Sequence, residues 1–528
     1  MKRGLFAGAL LLLGVALPVS AQTLPTDDLM LRRIWEEGVD RSQIYRLSQV
    51  LLDSVGPRLT GTPDARRAKD WLVATYAAWG VPARLEQYGT WGGWRRGITH
   101  IDLLQPRVRT LEGTLLGWSA GTRGRPVQGP VIVLPDLADS VALRQWLPSA
   151  RGRFVAIDLA QPTCRPDRHG EEFGAAPAGR AVGDTLGSFR RMQTERREAQ
   201  QAWTARRQRT GLTADRLRTE LEDAGALGIL QSNWSNETGI NKVFTANTRR
   251  APTLDLSCED YGLVFRLAEH DQGPVLRVSA DAEHLGDVPV HNVIAEIRGT
   301  ERPHEVVLLS AHFDSFDAGS GATDNGTGTL TMLEAIRILR QVYPNPRRTI
   351  MVGHWDSEEQ GLNGSRAFAA DHPEIVRNLQ AVFNQDNGTG RIQNISMQGL
   401  VGAGEHFARW FARLPAELTR DVRLQIPGSP GGGGSDHAAF VCSGAPGFSL
   451  SSLPWAYFSY TWHTNRDTFD KLVFDDLRNN AVLVAMLTYL ASEDPERIPL
   501  ERRTVLAPGF GAQPPSWPEC REPARRQP

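Results

Sequence analysis

The second half of the chain is punctuated by short, nearly unbroken apolar runs at 306–309, 350–352, 379–383 and 448–450. A run of that length without polar alternation suits a strand buried on both faces. After the first of them, Met332, Ala335, Ile336 and Leu339 recur at the spacing of one helix face. Strand, loop and helix then repeat, which predicts an α/β fold: a mostly parallel sheet flanked by helices. In open sheets of this type ligands sit beyond the carboxyl ends of the strands.

The first half has a different texture. Residues 28–80 read as helical, with Ile44, Leu47, Val50, Leu51 and Leu52 on one broad face and a second period over 65–79 that Gly80 ends. Between the two periods, Gly56-Pro57-Arg58-Leu59-Thr60-Gly61-Thr62-Pro63 cannot continue a helix and predicts an ordered turn. From 119 to 282, β-rich runs at 131–134, 154–159 and 227–230 are interrupted by a strongly charged helical stretch over 188–224. This pattern reads as an inserted β-rich domain. The arginines of that stretch, Arg190, Arg191, Arg196, Arg197, Arg206, Arg207 and Arg209, alternate with Glu195, Glu198, Glu220 and Glu222. Mixed signs with sparse aromatics describe a solvated helix and not a nucleic-acid face. Beyond residue 500 the period is lost, and 501–528 reads as a C-terminal tail in coil.

Composition narrows the classes further. The chain has 528 residues, 41% of them hydrophobic, and a formal net charge of -1. That suffices for a large globular core and more than one domain, and it provides no global field to gather nucleic acid. Lys2 and Arg3 precede an apolar run over 5–17, closed by Val19-Ser20-Ala21. This is the layout of a signal peptide over 1–21, too short for the roughly 20 residues a span requires. The expectation is a secreted or periplasmic protein with no membrane span once the leader is removed. Cys164, Cys258, Cys442 and Cys520 are compatible with two disulfides in any of three pairings. Their scatter argues against a thiolate metal site, so a metal here would be held by His and carboxylates.

Candidate chemistry follows the strands. Past the first run stand His312 and Asp314, with Asp324 in a Gly-rich loop ten residues on; past the second stand Glu358 and Glu359, past the third Asp386, and a later loop carries His463. Two imidazoles and several carboxylates at one rim suit zinc, and five candidate ligands suggest a metal pair about 3.5 to 4 Å apart with one bridging carboxylate. Asp324 is the natural bridge, since its glycine neighbours let the backbone approach closely. Asp314, two residues past His312, is expected on the same face of an extended strand, accepting the free ring N–H of His312. Glu358 and Glu359 cannot both face one spot on extended backbone, so one ligand and one base is the economical division.

Taken together, His312-x-Asp314, Asp324-Asn325-Gly326-x-Gly328, Glu358-Glu359-x-Gly361, Asp386, Ser435-Asp436-His437-x-x-Phe440 and His463-Thr464-x-x-Asp467-Thr468 resemble the co-catalytic di-zinc metallopeptidases of family 28. That family includes secreted aminopeptidases, carboxypeptidase Q and the glutamate carboxypeptidases. The likeness covers residues 288–490, and Arg58-Leu59-Thr60-Gly61 together with the insertion points to a carboxypeptidase Q-like subgroup. The resemblance implies a zinc exopeptidase-like fold, with the peptidase domain over 22–118 and 283–500 and a protease-associated-like domain with its charged helix inserted over 119–282.

It also implies two Zn2+ per chain, one held by His312, Asp324 and Asp386 and the other by Asp324, Glu359 and His463. Short peptides would then be hydrolysed by zinc-activated water with Glu358 as general base. Trp462 stands where several relatives of the family carry Tyr, so stabilisation of the oxyanion falls to a zinc, to Tyr460 or to another group. Asp436 and His437 either touch substrate or cap a glycine-rich loop. His354, within an apolar run, reads as a core histidine. Amino- or carboxypeptidase or dipeptidase polarity stays open, and a homodimer is compatible with the sequence without being specified by it. Two other classes share the fold: glutaminyl cyclase-like acyltransferases with a single zinc, and receptor-like homologues that lost their ligands.

Overall fold

The computed structural model describes residues 26–174, 185–317, 319–431, 433–504 and 516–527. The leader expected over 1–21 lies outside them. Fourteen strands among the described residues join in one sheet. In chain order its main strands are β1 (Ala83–Gln105), β2 (Val127–Val133), β3 (Phe154–Ala156), β4 (Gly228–Gln231), β5 (Thr253–Leu256), β6 (Val275–Ile297), β7 (Arg302–His312), β8 (Arg348–Trp355), β9 (Leu379–Asn384), β10 (Ile392–Ser396) and β11 (Gly447–Ser452).

The apolar runs of the second half form the centre of this sheet. β7 pairs in parallel with β8 on one side and β9 on the other, and β9 continues in parallel to β11. Every residue of β8 and β9 is buried, because helices cover both faces. Alternate residues of β7 serve two cores: Val307, Leu309 and Ala311 face helices Leu29–Val39, Thr327–Val342 and Phe474–Glu493, whereas Val306 and Leu308 join Phe368 and Phe440 on the other side. The sheet is parallel at its core and mixed at its margins, where β10 pairs antiparallel to β11 and β6 antiparallel to β8.

β1 and β6 are arms of 23 residues each that pair antiparallel along most of their length. The inner part of β6, Val293 to Ile297, bonds β8, and its outer part, Val275 to Val278, bonds β2. The sheet therefore passes without a break into the segment predicted as an insertion. There β2, β3, β4 and β5 run mutually parallel, and helices Ser140–Trp146, Ala214–Asp223 and Cys258–Glu269 pack on them around Leu143, Leu221 and Phe265. The charged stretch is helix Thr185–Arg209; its arginines pair locally, Arg196 with Asp167 at 2.6 Å and Arg207 with Asp158 at 3.2 Å.

The four cysteines form two disulfides, Cys164–Cys258 and Cys442–Cys520. The second fastens residues 516–527, which run as a strap without helix or strand. Trp517 Nε1 donates to the Val441 carbonyl at 2.9 Å, and the Ala524 N–H to Asn363 Oδ1 at 2.8 Å. Further on, the Thr90 N–H donates to the Arg525 carbonyl at 2.9 Å. The strap passes so close to β1 that a Cβ on Gly89 would stand 2.4 Å from the Arg525 oxygen. No helix among the described residues is long and apolar enough to cross a membrane.

Candidate metal centre and active site

β7 ends at His312 opposite Trp355, the last residue of β8, and β9 ends at Asn384 beside Ser310. The loops leaving these ends bring the predicted residues together. His312 Nε2 lies 3.1 Å from Asp386 Oδ1 and 3.5 Å from Asp324 Oδ1. His463 Nε2 lies 3.2 Å from Asp324 Oδ2 and 2.9 Å from Glu359 Oε2. Two groups capable of holding a metal result, His312 with Asp324 and Asp386, and Asp324 with Glu359 and His463. Asp324 belongs to both and turns a different oxygen to each imidazole.

Asp324 is presented by its neighbours' backbone. Asp467 accepts the N–H groups of Thr323 and Asp324 at 2.8 and 3.0 Å. Asn325 Nδ2 donates to the Gln385 carbonyl at 2.8 Å, tying this loop to the one that carries Asp386. Glycine is needed at 328 for that approach, since a Cβ there would stand 2.4 Å from the Gln385 oxygen. Arg58, from the predicted turn, is fully buried and donates to the carbonyls of Phe313, Ser320 and Gly321 at 2.7, 2.7 and 2.9 Å. One guanidinium thus supports the loop from β7 to Asp324 along its length.

Asp314 sits differently from its expected placement. The strand stops at His312, so strand alternation no longer orients the residue two positions on. His312 Nδ1 has the Asp314 main-chain carbonyl at 3.1 Å and the carboxylate only at 3.7 Å. That carboxylate instead accepts the N–H groups of Glu358 and Glu359 at 3.0 and 3.3 Å, and so orients the pair of glutamates. His463 takes a left-handed backbone conformation with φ 58°, which costs a residue with a Cβ on the order of 1 kcal/mol and marks a position held by its surroundings. Trp462 stacks on its ring at 3.9 Å, Phe316 meets it at 4.5 Å, and the Lys242 ammonium lies 3.9 Å over Trp462. The Val243 N–H donates to the His463 carbonyl, so the segment between β4 and β5 braces the loop that carries His463.

The electrostatics are those of crowded carboxylates. Burial raises Glu358 and Glu359 well above the usual carboxylate range, with Asp386 adding to the first and Asp324 to the second. Burial also pushes Asp436 up to about 7 and His463 down to about 4. His312 goes the other way: burial opposes its protonation, but Asp386 and Glu358 raise it well above the ordinary value. Burial likewise works against ionised Asp324, yet His312 and His463 hold its carboxyl below its ordinary value.

Residues 292–488, which contain all of these groups except Arg58, Lys242 and Val243, match the family model of Peptidase family M28. That match takes in the strand end and loops that carry His312, Asp324, Glu359, Asp386 and His463. Bovine carboxypeptidase Q is 25% identical over 469 residues, 88% of this chain and 88% of that protein. A solved M28 peptidase precursor from Shewanella amazonensis shares the fold at 24% identity and TM-score 0.62, covering 90% of this chain and 98% of its own. A zinc aminopeptidase from Bacillus subtilis shares it at 18% and 0.53, covering 87% and 96%. The chain is accordingly a metallo-exopeptidase hydrolase by class.

A cavity of about 580 Å3 opens beside Asp324, Glu358 and Glu359. Tyr457, which sequence reasoning passed over, lines it, is buried, and interacts through its hydroxyl with Asp324. Tyr460, the tyrosine singled out from sequence, is exposed, with its ring against Lys471. His437 lines the cavity and burial lowers it to about 4. His354 packs inside the sheet, its Nε2 2.6 Å from the Tyr76 hydroxyl.

Proposed function

We propose that this chain is an exported zinc exopeptidase acting on short peptides, with His312, Asp324 and Asp386 holding one zinc and Asp324, Glu359 and His463 a second. The observation that carries the reading is Asp324, whose two oxygens address two different imidazoles 3.5 and 3.2 Å away. The residues suit the ion. Asp324 Oδ2 and Glu359 Oε1 are buried without a hydrogen-bond partner among the described residues, and a set of imidazole nitrogens and carboxylate oxygens is the chemistry zinc prefers when thiolates are absent. Four crowded carboxylates also favour a cation between them. Zinc bound there supplies Lewis acidity, making water more acidic and polarising a carbonyl.

The chain's own groups supply the rest. Glu358 lines the cavity and belongs to neither ligand group; its raised proton affinity suits a general base that takes a proton from water and returns it to the leaving amine. Asp314 positions Glu358 and Glu359 through their N–H groups. Tyr457, with its hydroxyl at Asp324, is the protein's donor for the developing oxyanion. Lys242, from the segment between β4 and β5, lies over Trp462, which lines the cavity, and we assign the insertion the role of restricting access to short chains. Export is supported by the leader pattern at 1–21 and by two disulfides, which persist in oxidising compartments.

Elemental analysis of the zinc-replete mature protein, with product mass spectrometry on dipeptides, blocked peptides and tripeptides, tests the reading. Two zinc ions per chain, chelator-sensitive hydrolysis restored by zinc, and removal of terminal residues only are expected. One tightly held zinc with cyclisation of N-terminal glutamine would instead mean a cyclase-like acyl transfer.

A further inference from the structure

The cavity bounded by Asp324, Glu358 and Glu359 is bounded as well by two arginines from distant parts of the chain, Arg366 and Arg521. Arg366 lies in helix Asn363–Asp371, and its Nη1 donates to the Gly361 carbonyl at 2.7 Å, which fixes the guanidinium just past the two glutamates. Arg521 comes from the strap. It follows Cys520, whose disulfide to Cys442 anchors it on one side, and the Ala524 hydrogen bond to Asn363 anchors it on the other.

Neither arginine has a carboxylate within ion-pair distance among the described residues; burial first, and then Arg521, lower the proton affinity of Arg366, while the more distant Asp436 and Glu358 raise it. Two guanidinium groups, one from a helix and one from a tethered segment, thus share one cavity wall with neither held in an ion pair among the described residues. A cavity of about 580 Å3 falls within the size range of small-ligand sites and leaves room for little more than a short peptide. Arginine is also the side chain whose fork matches a carboxylate.

We propose that Arg366 and Arg521 receive the free α-carboxylate of a short peptide whose scissile bond lies at Asp324 and Glu358, making the strap a specificity-determining wall of the site. This rests on the exopeptidase reading above and adds its polarity. The substrate class is then dipeptides and other short peptides with an unblocked C-terminus. Arg521 is exposed and makes no hydrogen bond to a described residue, so its replacement leaves the fold's own contacts intact.

The test compares zinc-loaded full-length protein with Arg521→Ala and Arg521→Lys on three probes: Ala-Ala, Ala-Ala amide, and Ala-Glu amide, which carries its only carboxylate on a side chain. The wild type is expected to favour Ala-Ala over its amide in kcat/KM by on the order of 10-fold to 100-fold, the scale of a charge-assisted hydrogen bond. Arg521→Ala should collapse that ratio toward one, chiefly through KM, and Arg521→Lys should keep part of it. Calorimetric titration of Ala-Ala and its amide into the same proteins should follow the same order. Equal use of Ala-Ala and its amide by the wild type, or an unchanged ratio in Arg521→Ala, overturns the proposal. Ala-Glu amide matching Ala-Ala overturns it in favour of an acidic side chain as the anion. If no probe is hydrolysed with zinc present, the exopeptidase reading itself fails, and a calorimetric preference for Ala-Ala that Arg521→Ala abolishes would then uphold the carboxylate site alone.

Discussion

Asp467 grips Asp324 through the main chain, its two carboxylate oxygens accepting the N–H groups of Thr323 and Asp324 at 2.8 and 3.0 Å. Burial drives its carboxyl up to about 7, and the two N–H donors pull against that. In Asp467→Asn one of the two acceptors becomes a donor facing an N–H, so the loop carrying Asp324 must shift. Groups that orient ligands are typically worth about 10-fold to 100-fold in metal affinity. Bound zinc after dialysis should fall by that order in the variant, with the thermal unfolding midpoint of the chelated protein nearly unchanged.

Glu358→Gln and Glu359→Gln should part company. The first keeps the size of the side chain but cannot accept a proton, so turnover should drop by about 10² to 10⁴ while bound zinc stays. The second removes one of three residues in a ligand group, so zinc and activity should fall together. Metal content and kcat measured on both variants decide it, and loss of zinc from Glu358→Gln alone would reverse the two roles.

Tyr457→Phe deletes one buried hydroxyl beside Asp324 and little else. If that hydroxyl stabilises the oxyanion, kcat should fall by roughly 10²-fold to 10³-fold, as for other oxyanion donors, with KM little changed. Steady-state kinetics on one dipeptide suffices, and a loss confined to KM would move Tyr457 to ground-state binding.

His354 predicts an acid dependence of stability. Burial lowers its pKa from 6.5 to about 3. Above pH 6.5 the ring is neutral in folded and unfolded chains alike and contributes no pH dependence; below it the unfolded chain binds a proton that the folded one refuses, so stability falls as the pH drops from 6.5 toward 3. Between pH 7 and pH 5 this amounts to about 2 kcal/mol. Denaturant midpoints at the two pH values should separate by correspondingly less in His354→Gln than in the wild type.

The legible parts of the molecule were those where one physical requirement acts on consecutive residues. β8 and β9 are buried on both faces, and their apolar runs stood out for that reason. The residues that gather into the two candidate metal groups were legible because metal-binding residue types follow each such run. The arms β1 and β6 escaped notice, since much of their length is half-exposed and no apolar period survives. Helix Phe474–Glu493 did so for the opposite reason, being buried on nearly every side from Asn480 to Thr488 with no polar stripe to show its turn. Lys242 and Arg521 reach the site from loops and Tyr457 from the short helix Tyr457–Tyr460, all brought near by tertiary packing, and Asp314 depends on where a strand stops. Neither is written in local spacing.

The long arms bear on how the chain folds. β1 and β6 together are a hairpin whose turn is itself a folded body, since Gln105 opposes Val275 with the whole intervening segment between them. Closing so long a loop from an open coil is slow, because non-local pairing comes only after chain entropy is lost. If that body condenses first, it brings its own two ends together and the arms can zip inward from Gln105 and Val275 to the β8 edge. Damage to the Leu143 and Leu221 core, remote from any ligand, should then surface as delayed assembly of the metal centre.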